Sequence, residues 1–123
     1  MDFEKKSFAI VGASNNLEKY GYKVVQALLK RTKNIYPINP KEELVLGIKC
    51  YKELNEIKNN IDVIVFVVPP NITFDIVEKN FSKKSIFWFQ PGSFDFGVID
   101  FCKENNIKYE NKKCIIKESE KTI

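Results

Sequence analysis

Apolar residues along this chain fall into short unbroken runs, and between the runs they recur at helical spacing. Ser7 to Val11 does not alternate, which predicts a first strand buried on both faces. In Tyr22 to Arg31, Val24, Val25, Leu28 and Leu29 share one face, as in a helix packed on a sheet. Asn34 to Ile38 predicts a second strand, and Pro37 places it near an end or an edge. Gly47 to Tyr51 is at best a short third strand, and Glu53 to Lys58 supplies a helical turn or two. Asp62 to Val68 is the clearest buried strand, and Pro69-Pro70 stops it. Asn71 stands where it would cap a helix running through Ile72, Ile76, Val77 and Asn80. Ser85 to Phe89 is the next strand and halts at Gln90-Pro91-Gly92. Ser93 is placed to cap a last helix containing Val98, Phe101 and Cys102. Ile107 to Glu110 and Lys113 to Lys117 read as short edge strands, while Glu118 to Ile123 looks unconstrained.

Strands alternating with helices at this spacing predict an α/β fold: a doubly wound, mainly parallel sheet with right-handed crossovers, helices on both faces, three layers in all. A chain of 123 residues is expected to form one domain, 1–123, with no room for a separate substrate domain. No apolar run approaches the roughly 20 residues that span a bilayer. The start, Met1 to Lys6, lacks the basic-then-apolar pattern of a signal peptide. A cytoplasmic protein with no membrane partner is therefore expected.

Charge and cysteine content narrow the classes further. The net charge is +4, but only Arg31 among the 20 basic residues is arginine, and the lysines are spread along the chain. Arginine is the usual bidentate reader of guanine, so a nucleic-acid partner is not expected. Cys50, Cys102 and Cys114 have no metal-binding spacing and the chain has no histidine, which argues against a metal site. Three reduced thiols are expected. A cysteine near a ligand thiol could form a mixed disulfide with it, and Cys102, on the inward face of its helix, is the poorest candidate.

The chemistry concentrates at four breaks that follow strands: Gly12-Ala13-Ser14, Asn39-Pro40, Pro69-Pro70 and Gln90-Pro91-Gly92. In such sheets ligands bind beyond the carboxyl ends of the strands, so these breaks should share one rim. With few charged side chains, that rim suits a long, partly neutral ligand. Gly12-Ala13-Ser14, followed by Lys19-Tyr20-Gly21 at a helix start, forms a turn whose amides and helix dipole attract phosphate. Gly12 and Gly21 also suit backbone geometry and close helix–strand packing, Lys19 suits a solvated surface, and Gln90 suits capping of backbone groups. Trp88, Phe87 and Phe89 read as core. The dinucleotide fingerprint is incomplete: after Gly12 the next glycine is Gly21, and strand two ends in Asn39-Pro40-Lys41 instead of a carboxylate. NAD fits poorly; NADP and coenzyme A both fit.

Seven ordered segments then carry a resemblance: Gly12-Ala13-Ser14, Lys19 to Tyr22, Tyr36 to Pro40, Gly47 to Tyr51, Val68-Pro69-Pro70, Trp88 to Gly92 and Cys114-Ile115-Ile116. From about Phe8 to Glu118 the chain resembles the stand-alone CoA-binding domain family, which is similar to the amino-terminal domain of the succinyl-CoA synthetase α subunit. The resemblance implies a Rossmann-like domain that takes coenzyme A or acyl-CoA. It implies that Gly12, Ala13, Ser14, Lys19 and Gly21 hold the diphosphate. It places Asn39, Pro40 and Lys41 beside the adenosine 3′-phosphate end. Val68, Pro69 and Pro70 would lie against the adenine or the start of the pantetheine, with Gln90 and Gly92 further along that arm. The synthetase subunit works through a phosphorylated histidine in a second domain, and this chain has no histidine. A binding protein without catalysis of its own is the leading expectation. The alternatives are the coenzyme A-binding subunit of a multi-chain acyl-CoA ligase and an NADP or nucleotide sensor domain. A homodimer or a separate ligase chain are the protein partners left open.

Overall fold

The computed structural model of the chain describes residues 1–121. In chain order the elements are β1 (Phe8–Val11), α1 (Tyr20–Leu29), β2 (Ile35–Ile38), β3 (Leu44–Val45), β4 (Ile48–Lys49), β5 (Val63–Phe66), α2 (Pro70–Asn80), β6 (Ile86–Phe89), α3 (Phe96–Glu104), β7 (Tyr109–Glu110) and α4 (Ile115–Lys121). Five of the strands form a parallel sheet in the order β2-β1-β5-β6-β7. Ala9 lies level with Tyr36 on one side and Ile64 on the other. Pro37 belongs to the edge strand of the sheet, and on its outer side its carbonyl accepts from the Tyr51 amide while its missing N–H interrupts no strand ladder.

The sheet is buried on both faces because successive residues of each strand feed different cores. Phe8, Ile10, Val63, Val65 and Trp88 pack with Val24, Val25 and Leu28 of α1 and Ile115 of α4. Ala9, Val11, Ile64, Phe66, Phe87 and Phe89 pack with Val77 of α2 and Val98 and Cys102 of α3. Two helices cover each face, which makes the doubly wound, three-layered Rossmann-like architecture. This is why the central strands read as continuous apolar runs.

Five local expectations are corrected. The helix after Pro69-Pro70 begins with Pro70 at its first position and Pro69 as the flanking residue, so Asn71 is inside the first turn and is not its cap. Asp95, not Ser93, caps α3: its carboxylate accepts from the Val98 amide at 3.0 Å. The Ser93 hydroxyl donates to the Gln90 carbonyl instead. Gly47 to Tyr51 contributes only half of a small antiparallel hairpin, β3–β4. Its turn residues Leu46 and Gly47 both have positive φ, as a tight hairpin with the strands' right-handed twist demands. Lys113 to Lys117 is not a strand but leads into α4. The Gln90 side chain accepts from the Ile115 amide at 2.8 Å, and the guanidinium of Arg31, just after α1, donates to the Ser119 carbonyl, so tertiary partners hold this segment as a helix against α1. Glu118 to Lys121 are thereby ordered, and residues 122–123 lie outside the described residues.

Candidate functional site

The chain goes from β1 to β2 on one side of the sheet, while β5 stands on β1's other side. Crossovers therefore diverge at the carboxyl ends of β1 and β5, the place where open α/β sheets hold ligands. A crevice of about 800 Å³ opens there. Its floor is Val11, Gly12, Ile38 and Val67, at or just beyond the ends of the three strands. One wall is Ser14 with Lys19-Tyr20-Gly21 at the start of α1. A second is Asn39-Pro40-Lys41 with Lys52 to Asn55. The third is Val68, Pro69, and one face of α2 made of Ile72, Ile76, Lys79 and Asn80.

Backbone contact shapes the turn after β1. A Cβ added at Gly21 would stand 1.9 Å from the Gly12 carbonyl oxygen, so α1 is seated directly on the turn's main chain. Gly12 itself has φ +97, and a Cβ there would meet the Val67 carbonyl oxygen at 2.8 Å. Neither site admits a side chain without displacing backbone. The amides of Gly12 and Ala13 both donate to the Ile38 carbonyl, at 3.1 and 3.2 Å, and so belong to the sheet. The Ser14 and Gly21 amides have no acceptor among the described residues. Helix α1 also starts without a side-chain cap and without an acidic residue in its first turn, leaving the positive end of its dipole uncompensated.

Asn39 ties the end of β2 to this turn. Its Nδ2 donates to the Ala13 carbonyl at 2.8 Å, and its Oδ1 accepts from the Lys41 amide at 2.8 Å. Beyond it, Asn15 donates to the Leu44 carbonyl and the Glu42 carboxylate and accepts from the Leu46 amide. The loop that follows the turn is thus fastened to the β3–β4 hairpin at the crevice's edge.

Of the residues singled out from the sequence, Gly12, Ser14, Lys19, Gly21, Asn39, Pro40, Lys41, Val68 and Pro69 line the crevice. Ala13 is fully buried and Pro70 is set back in α2; neither lines it. Gln90 and Gly92 are not in the lining either. The Gln90 side chain, 1% exposed, serves the junction with α4: besides holding the Ile115 amide it donates to Cys114 Sγ at 3.3 Å. Three of the four strand breaks therefore share the crevice and the fourth does not. The expectation of few charges also fails, because Lys19, Lys41, Lys52, Glu53 and Lys79 all line the crevice. Among the described residues none of these lysines is ion-paired. Lys52, Glu53, Ile72, Ile76 and Lys79 escaped sequence reasoning. For α2 a signal existed: positions 72, 76 and 79 repeat on one helical face directly after the strand break. Lys52 had none, since only the hairpin brings it back to β2.

The thiols are dispersed. Cys102 is fully buried in the α3 core, and burial pushes its pKa up to about 11. Burial also raises Cys50, whose sulfur sits 3.7 Å from the Asn39 carbonyl oxygen. Both are held as neutral thiols and are poor nucleophiles. Cys114 is half-buried beside Gln90.

Residues 6–120 match the family model of the CoA binding domain, and the chain belongs to that family. It is 43% identical over 81 residues to an ADP-forming acetate–CoA ligase of Methanocaldococcus jannaschii, a match covering 66% of this chain and 11% of that protein. It is 40% identical over 68 residues to the α subunit of ADP-forming acetate–CoA ligase II of Pyrococcus furiosus, covering 54% of this chain and 15% of the subunit. The chain thus corresponds to a small fraction of the length of these curated relatives. A conserved hypothetical protein from P. furiosus superimposes with a TM-score of 0.87 at 34% identity, covering 92% of this chain and 98% of that one. Among the described residues no helix is long and apolar enough to cross a membrane.

Proposed function

We propose that the crevice at the carboxyl ends of β1 and β5 is where this CoA-binding domain holds coenzyme A, and that the chain acts as a binding module. The observation that carries the placement is the α1 start: backbone packed on backbone, an uncapped helix terminus and Lys19 beside it. The diphosphate would meet the Ser14 and Gly21 amides and Lys19, with Gly12 and Ala13 shaping the turn from behind. The adenosine would lie between Asn39-Pro40-Lys41 and the wall of Val68, Pro69, Ile72 and Ile76, whose apolar surface suits a base. Isothermal calorimetry with coenzyme A, acetyl-CoA and NADP tests this. Saturable binding of coenzyme A, lost in Lys19→Glu, supports it. No heat with coenzyme A, or a preference for NADP, would sink it.

A second reading rests on the ligase relatives, in which the matching segment is a small part of a longer chain. The domain would then deliver coenzyme A to a ligase chain. Purification from the native host, followed by mass spectrometry of what remains bound, separates the two. A stoichiometric ligase chain favours delivery, and a lone protein carrying an adduct of coenzyme A mass favours the module.

A further inference from the structure

Resting on coenzyme A in this crevice, we infer that Lys52 is the residue that selects a 3′-phosphorylated adenosine over its dephosphorylated form. Lys52 lies 12 residues beyond Pro40, yet the fold returns it to the end of β2. Tyr51 forms a parallel bridge with Ile38, its amide donating to the Pro37 carbonyl and its carbonyl accepting from the Asn39 amide, both at 2.9 Å. The next residue therefore emerges beside Asn39-Pro40. Its backbone is fixed as well: the Glu56 carboxylate accepts from the Lys52 amide at 2.7 Å and from the Glu53 amide at 3.2 Å.

The side chain then folds over the strand end, with Nζ donating to the Pro40 carbonyl at 3.3 Å. An ammonium has three donors, and this bond uses one of them. The charge is thereby oriented at the crevice wall with two donors left for an anion, whereas among the described residues Lys41 is fixed only through its backbone amide. Lys52 is exposed and unpaired by any carboxylate among the described residues, so no internal partner competes. In a dinucleotide-binding sheet the end of the second strand is where the ribose is read, by a carboxylate on free hydroxyls or by a cation on a ribose phosphate. Here the group presented at that place is a cation.

The test is a two-by-two titration, wild type and Lys52→Met against coenzyme A and 3′-dephospho-coenzyme A, with Lys52→Arg as the conservative variant. A charge-assisted contact predicts that the wild type prefers coenzyme A by about tenfold or more. Lys52→Met should bring the two affinities within about threefold, weakening coenzyme A far more than the dephospho form, and Lys52→Arg should retain most of the preference. An undiminished preference in Lys52→Met, or equal binding of the two ligands by the wild type, overturns the role of Lys52 while coenzyme A binding itself stands. Failure of the wild type to bind either ligand overturns the underlying reading and this inference with it.

Discussion

Gly21 illustrates how one residue serves fold and site together. Replacing it with alanine would force a methyl group against the Gly12 carbonyl, and neither backbone has room to retreat because Gly12 is itself pressed on Val67. Overpacking of this kind costs about 3 kcal/mol. Gly21→Ala should lower the urea midpoint accordingly and lose coenzyme A affinity, since α1 must lift off the turn. Cys102 makes a different residue-level prediction. Its thiol is held neutral, with a folded pKa of about 11 against an ordinary value of 9.0. The unfolded chain therefore releases this proton first as pH rises. The resulting stability is complete below pH 9 and is lost between pH 9 and 11. Urea midpoints measured across that range should fall more steeply for the native protein than for Cys102→Ala. The sequence placed Cys102 on a buried face, but the extent of its desolvation depended on Phe89, Val98 and their neighbours closing over it.

At the scale of elements, long apolar strands were the most legible because each had to fill two cores. β1, β5 and β6 were expected with one or two extra residues at their ends, and parallel pairing followed from the helices between them. What escaped was α4, whose sequence, Ile115-Ile116 and then charged residues, has an apolar start that suits a strand equally well. Gln90 decides the matter from 25 residues away by accepting the Ile115 amide. Gln90→Leu would leave that buried donor unsatisfied, at a cost of about 2 kcal/mol. It should loosen α4 from α1, read as faster amide exchange over 115–121, and leave coenzyme A affinity unchanged because Gln90 lies outside the crevice. Asp95→Ala, which removes the α3 cap, should cost about 1 kcal/mol and likewise spare binding.

For the whole molecule, a ligand bound in the crevice would be coupled to the fold, since the crevice walls come from α1, α2 and the loops after β2 and β4. Coenzyme A at 100 times its dissociation constant should stabilise the folded state by about 2.7 kcal/mol, visible as a rise in melting temperature. That rise should be absent with Lys19→Glu. The acid side has its own handle: the Arg31 guanidinium holds the Glu4 carboxyl below its ordinary value of 4.5. The stability this pair provides is present above that value and is lost as pH falls through the lowered one, so Glu4→Gln should flatten the acid limb of the midpoint curve. Local patterning of the chain was enough to reveal a parallel α/β sheet, the glycine turn after its first strand and the ordered segments that mark the family. These signals are local: burial on two faces, a residue without a Cβ, a proline that stops a strand. The basic character of the crevice, the return of Lys52 to β2 and the diversion of Gln90 to α4 emerged only from long-range packing. Each depends on which distant backbone groups come within hydrogen-bonding reach, and no window along the chain contains both partners.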